Sequence, residues 1–79
     1  MNYAQQHAQK DSMDYFEAVN IAEGFAESTN DERLQAWAYL IKDGRAWSLQ
    51  GFFGRQMSNL INSGIIDKTG RILRPDAHV

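Results

Sequence analysis

Ala46-Trp47-Ser48-Leu49-Gln50-Gly51-Phe52-Phe53-Gly54-Arg55 sets three aromatics, two glycines and an arginine in one short run of a 79-residue chain. Apolar spacing through and beyond it predicts a helix from about Trp47 to Ser63, stopping at Gly64. Leu49, Phe52, Phe53, Met57, Leu60 and Ile61 then share one broad arc. Trp47, Gly51, Gly54 and Ser58 share the opposite one, which is almost free of bulk. A glycine inside a helix costs about 1 kcal/mol relative to alanine. Two of them three residues apart therefore imply the close approach of another backbone, from within the fold or from a partner. In the alternative reading, Gly51-Phe52-Phe53-Gly54 is the turn between two shorter helices.

Upstream, Tyr15, Ala18, Val19, Ala22, Phe25 and Ala26 follow helical spacing, so a first helix is expected from Asp11 or Ser12 to about Glu27. Ser28-Thr29 breaks that pattern. Asn30 is the expected N-cap of a second helix, with Asp31 and Glu32 in its first turn, where the helix dipole favours anions. Leu34, Trp37, Ala38 and Ile41 form its inward stripe, and Gly44 follows its end. Downstream of Gly64, Ile65-Ile66, the turn Asp67-Lys68-Thr69-Gly70 and Arg71-Ile72-Leu73 read as a short β-hairpin. The expected fold is mainly α: a three-helix core with a short C-terminal β-hairpin, an order compatible with a winged helix. Residues 1–10 and 75–79 read as polar tails around a single domain over 11–74.

A chain this short closes one core, and such a core supplies about 3–5 kcal/mol at most. With no cysteine there is no disulfide framework and no thiolate chemistry. The N-terminal residues lack the basic and apolar regions of a signal peptide, and no apolar run approaches a membrane span. These features predict a cytoplasmic protein without a membrane partner. Charge is unevenly spread. Residues 1–43 hold Lys10, Arg33 and Lys42 against eight carboxylates, whereas residues 44–79 hold Arg45, Arg55, Lys68, Arg71 and Arg74 against Asp67 and Asp76. Such polarity marks a binding surface, or two halves that attract each other within one chain or between copies.

Catalysis finds little support in these residues. His7 and His78 fall in the two polar end segments, and a catalytic base must be held in place. No metal-binding, Walker or dinucleotide spacing occurs, so no catalytic residue, metal or cofactor is expected. Trp37 and Phe53 read as core. Trp47 and Phe52 lie at or beyond the edges of the apolar arc and read as surface. Together with Gly51, Gly54, Arg45 and Arg55 they are the candidate partner-binding residues, since Trp and Arg dominate binding hot spots. A winged helix would instead use Gln50, Arg55, Ser58, Asn59 and Asn62 as DNA contacts, with Lys68, Arg71 and Arg74 on the wing. The single arginine inside that helix is a thin cationic face for neutralising phosphates.

The motif Trp47-x-Leu49-Gln50-Gly51-x-Phe53-Gly54-Arg55, followed by Leu60-Ile61-x-x-Gly64, resembles small uncharacterised accessory proteins of tailed phages. The likeness extends more loosely over residues 13–66. It carries no established activity and no site residues. It implies a protein of the host-cell cytoplasm that binds a host protein or regulates transcription. The expected function is a non-enzymatic interaction module acting on a host macromolecule; the alternative is a winged-helix-like DNA-binding regulator. Pairing of the small-residue faces would make it a homodimer.

Overall fold

In the computed structural model, which describes residues 13–79, helix α1 spans Tyr15–Glu23, α2 Asn30–Asp43 and α3 Gly51–Asn62. A 3₁₀ turn, Arg45–Ser48, stands between α2 and α3. The expected N-terminal tail and the Asp11 or Ser12 start lie outside the described residues. Asp14 caps α1, its carboxylate accepting the Glu17 N–H at 2.8 Å. The helix closes earlier than the apolar spacing suggested. Gly24 N–H donates to Ile21 O and Phe25 N–H to Asn20 O, both at 3.0 Å. Phe25 therefore leaves the helical stripe and stands 80% exposed.

The N-cap of α2 is Thr29 rather than Asn30. Its hydroxyl accepts the Glu32 N–H at 3.1 Å while Glu32 Oε1 accepts the Thr29 N–H at 2.8 Å. A reciprocal pair of this kind satisfies two amides that the helix leaves unbonded. Leu34, Ala36, Trp37, Ala38, Leu40 and Ile41 are all buried. At about 100° per residue they cover about 200° of the helix circumference. An amphipathic surface helix hides a narrower stripe, so α2 is the central element on which the rest is packed. Ala18 and Ile21 of α1 join this core, as do Ala46 of the 3₁₀ turn, Phe53, Met57 and Leu60 of α3, and Ile66.

The expected C-terminal hairpin is not formed. Among the described residues there is no strand, only a single antiparallel bridge between Ile66 and Ile72. The reason lies at the end of α3. Gly64, at φ 74°, lets the chain reverse there: its N–H donates to Ile61 O at 3.1 Å, and Ile65 N–H reaches Leu60 O at 3.0 Å. Ile66 N–H also points to Leu60 O, at 3.3 Å. The two amides that would begin a ladder are thus spent on closing the helix. On the return, Leu73 and Arg74 both donate to the one Ile65 carbonyl, at 2.8 and 3.2 Å. The chain is mainly α, and the winged-helix arrangement has no paired wing.

Asp67 organises the turn. Its carboxylate accepts from Thr69 N at 2.9 Å, Thr69 Oγ1 at 2.6 Å and Arg71 N at 3.0 Å. The Thr69 hydroxyl, then the Arg71 amide, hold this carboxyl below the usual carboxylate range. A group whose pKa is depressed by folding contributes stability that is fully present above its ordinary pKa of about 3.9. That contribution is lost as pH falls through the lower native value. Acidification below pH about 4 is therefore expected to shift the Thr69 and Arg71 amide resonances together. In an Asp67→Asn variant those resonances should be flat over the same range.

Residues 75–79, read as a polar tail, run back to the start of α2. Asn30 Nδ2 donates to Ala77 O at 2.6 Å and Asn30 Oδ1 accepts from Val79 N at 2.9 Å. Arg33 Nε donates to Val79 O at 3.1 Å, and its Nη1 to Ser28 O at 2.7 Å. Asn30 is thus a tether rather than a cap.

Candidate interaction surface

The decisive run is broken rather than continuous. Trp47 belongs to the 3₁₀ turn, Leu49 and Gln50 are extended, and α3 begins at Gly51. Gly51 is therefore the first residue of a helix, where the penalty for an interior glycine does not apply. The side chain of Arg55 folds back over it, with Nη1 at 2.9 Å from where a Cβ would lie. Gly54 is half-buried beneath Trp47, whose Cε3 would stand 3.9 Å from an added Cβ. The bulk-free side of α3 is occupied by an aromatic ring of the same chain, at a distance that admits a methyl group. Gly54→Ala is accordingly expected to stabilise the protein by about 0.5–1 kcal/mol, read as a rise in the urea midpoint.

Phe52 and Phe53 are neighbours with opposite fates. Phe53 is buried, while Phe52 stays 44% exposed and meets Trp37 edge-on, ring centroids 6.0 Å apart. The Phe52 and Phe53 centroids are 5.3 Å apart and those of Trp37 and Phe53 6.0 Å, so the three rings form one cluster at the start of α3. Trp47, 45% exposed, leans on Gly54. Positions 52 and 54 are about 160° apart around the helix. Trp47 and Phe52 therefore flank α3 from two sides, with Leu49, 42% exposed, on the chain between them.

Arg45 is already engaged. Its Nε and Nη2 grip Asp43 Oδ1 and Oδ2 at 2.8 and 2.9 Å, and its guanidinium carbon lies 4.1 Å over the Tyr15 ring. The hydrogen bond from Arg45 holds the Asp43 carboxyl below its ordinary value, and the pairing raises the Arg45 pKa. A bidentate pair stacked on an aromatic fixes the 3₁₀ turn against α1. Arg55, by contrast, is exposed and makes no ion pair among the described residues.

The residues proposed for DNA contact are brought together only in part. Arg55, Asn59 and Asn62 share one exposed face of α3, Ser58 is half-buried, and Gln50 precedes the helix. Lys68, Arg71 and Arg74 are exposed on the C-terminal loop, without a wing to present them. A cleft of about 400 Å³ lined by Met13, Tyr39, Lys42 and Asp43 holds none of these residues. Among the described residues no three His, Cys, Asp or Glu are grouped so as to hold a metal ion. No helix there is long and apolar enough to cross a membrane.

Sequence reasoning missed three exposed apolar side chains: Phe16 at 74%, Leu49, and Leu73 at 47%. Phe16 had a signal, since it falls off the helical spacing of Tyr15, Ala18, Val19 and Ala22. Leu49 was hidden by the assumption of a continuous helix.

The model of a family described as a domain of unknown function (DUF7417) matches residues 10–79, which includes every element described above. The chain belongs to this family. No curated protein matches the DUF7417 chain, and no solved structure does either.

Proposed function

We propose that this DUF7417 chain is a non-enzymatic interaction module, a phage accessory factor that binds a host protein stoichiometrically in the host cytoplasm. The observation that supports the reading is the exposure of Trp47, Leu49 and Phe52 around the start of α3. The core beneath them is already closed by Trp37, Phe53, Met57 and Leu60, so this apolar surface is not needed to complete it. Two aromatics near Arg55, which makes no ion pair among the described residues, match the composition of interface hot spots. Anchors near half exposure can still lose much of their surface to a partner, at about 25 cal/mol per Å² of apolar area buried.

The test is capture from a host lysate by the full chain, beside a Trp47→Ser, Leu49→Ser variant. A host protein retained by the wild type at one-to-one stoichiometry, and lost from the variant, is the expected result. Circular dichroism must show the variant folded. A captured protein that binds both forms equally would overturn the reading, as would a wild-type chain that captures nothing.

A further inference from the structure

We infer that this chain self-associates head to tail, the acidic outer face of α1 in one copy docking on the basic C-terminal loop of the next. The proposal uses surfaces apart from the Trp47 region, so it stands or falls separately from the function proposed above.

On α1, Phe16, Asn20 and Glu23 fall on one face by helical spacing, opposite the buried Ala18 and Ile21. Phe16 is 74% exposed, and Phe25 just beyond the helix is 80% exposed. Glu17, Glu23 and Glu27 lie within two residues of one or other of these phenylalanines along the chain. All three are exposed and make no ion pair among the described residues. Residues 13–32 thus set exposed apolar rings among acidic side chains and hold no cation of their own; Arg45, which reaches α1 at Tyr15, is already paired with Asp43.

The C-terminal loop has the matching character. Leu73 is 47% exposed between Arg71 and Arg74, with Lys68 nearby. All three cations are exposed and make no ion pair among the described residues. The one carboxylate within the turn, Asp67, is turned inward to accept the Thr69 and Arg71 hydrogen bonds. Among the described residues the charge asymmetry of the two halves is thus not neutralised: the side-chain ion pair found there, Arg45 with Asp43, is local.

Two surfaces of opposite charge, each with an exposed apolar centre, are complementary to one another rather than to themselves. That complementarity is why the second copy is the occupant. It also demands a heterologous contact, in which every copy offers both surfaces. A net charge of only −2 leaves little overall repulsion to oppose assembly.

The experiment is sedimentation equilibrium of the full chain from micromolar to millimolar concentration, with two charge-reversed variants. One carries Glu17→Lys and Glu23→Lys; the other carries Arg71→Glu and Arg74→Glu. The wild-type mass should rise with concentration and fall back when salt is added. Each variant alone now faces like charge and should associate at least about tenfold more weakly. An equimolar mixture of the two should regain association, because the unchanged loop of the first meets the unchanged α1 of the second. All substituted positions are exposed, and amide exchange of the α2 core checks that each variant is folded. A wild-type chain of constant monomer mass throughout the range overturns the proposal. So does association that neither variant weakens, or a mixture that associates no better than its components.

Discussion

Phe53→Ala is expected to leave the chain largely unfolded at room temperature, while Phe52→Ala leaves it folded. The Phe53 ring is 1% exposed and packs beside Trp37 and among Met57, Leu60 and the buried face of α2. Truncating a phenylalanine in such a place costs about 3–5 kcal/mol, through lost transfer energy and the cavity left behind. A core of this size supplies about the same amount in total, so one substitution consumes the margin. Phe52 differs by one position and stands 44% exposed. Its loss removes an edge-on contact with Trp37, worth about 0.5–1.5 kcal/mol, and part of the apolar burial. Urea unfolding followed by tryptophan fluorescence separates the two. A cooperative transition in both variants with similar midpoints would show that the ring cluster is not the keystone assigned to it.

The second large effect belongs to Gly70. Its φ is +88°, and a Cβ there would stand 2.7 Å from Ala38 O, 2.7 Å from Lys42 Cβ and 3.1 Å from Lys42 N. The turn has laid its backbone into the groove of α2, where no side chain fits. Gly70→Ala therefore combines the strain of a left-handed alanine, about 1–2 kcal/mol, with an overpacking cost of about 1–3 kcal/mol. A melting temperature lowered by more than about 10 °C is expected for a domain of this size. Gly24→Ala is the matched control, since φ there is +85° with nothing within 4 Å of the added carbon. It should show the conformational part alone. Equal losses in the two variants would mean that the contact with α2 contributes nothing.

These two residues also mark how far the sequence could be read. Trp37 and Phe53 were legible as core because helical spacing places both among other apolar residues, and α2 follows its pattern from Leu34 to Ile41. Helix ends were less legible, because several residues near them are adequate caps and only the local hydrogen bonds decide. Thr29 prevails over Asn30 through its reciprocal bond with Glu32, and Asn30 is drawn off to bind Ala77 and Val79. The hairpin was misread for a related reason. Ile65-Ile66 and Arg71-Ile72-Leu73 have the composition of strands, but the Ile65 and Ile66 amides are claimed by Leu60 at the end of α3. Composition registers what a residue prefers, not which carbonyl reaches its amide first.

For the candidate surface, the aromatics of the Trp47-to-Arg55 run were found and their arrangement was not. The glycines suggested room for a neighbouring backbone. Gly54 instead receives Trp47 of its own chain, and Gly51 starts the helix beneath Arg55. A stretch without side-chain bulk reads the same in sequence whether its occupant is a partner or a ring a few residues away. Gly70, whose approach to another backbone is the tightest of the glycines described, has the unremarkable setting of a polar turn. The signal that would have distinguished it is tertiary.

The bonds from Asn30 to Ala77 and Val79 span 47 and 49 residues of sequence. Bringing the ends of so long a segment together by chance costs about 3.5 kcal/mol in lost chain freedom. Those two hydrogen bonds return about 1–3 kcal/mol, and the charged Arg33 Nε donor on Val79 O adds about 1.5–3 kcal/mol. The clasp thus about balances the cost of its own closure, and the seating of Gly70 and Ile66 on the rest of the fold is what shortens the loop it must close. A latch so evenly poised is expected to open locally ahead of the α2 core, its Val79 amide exchanging with solvent sooner than the amides of that helix.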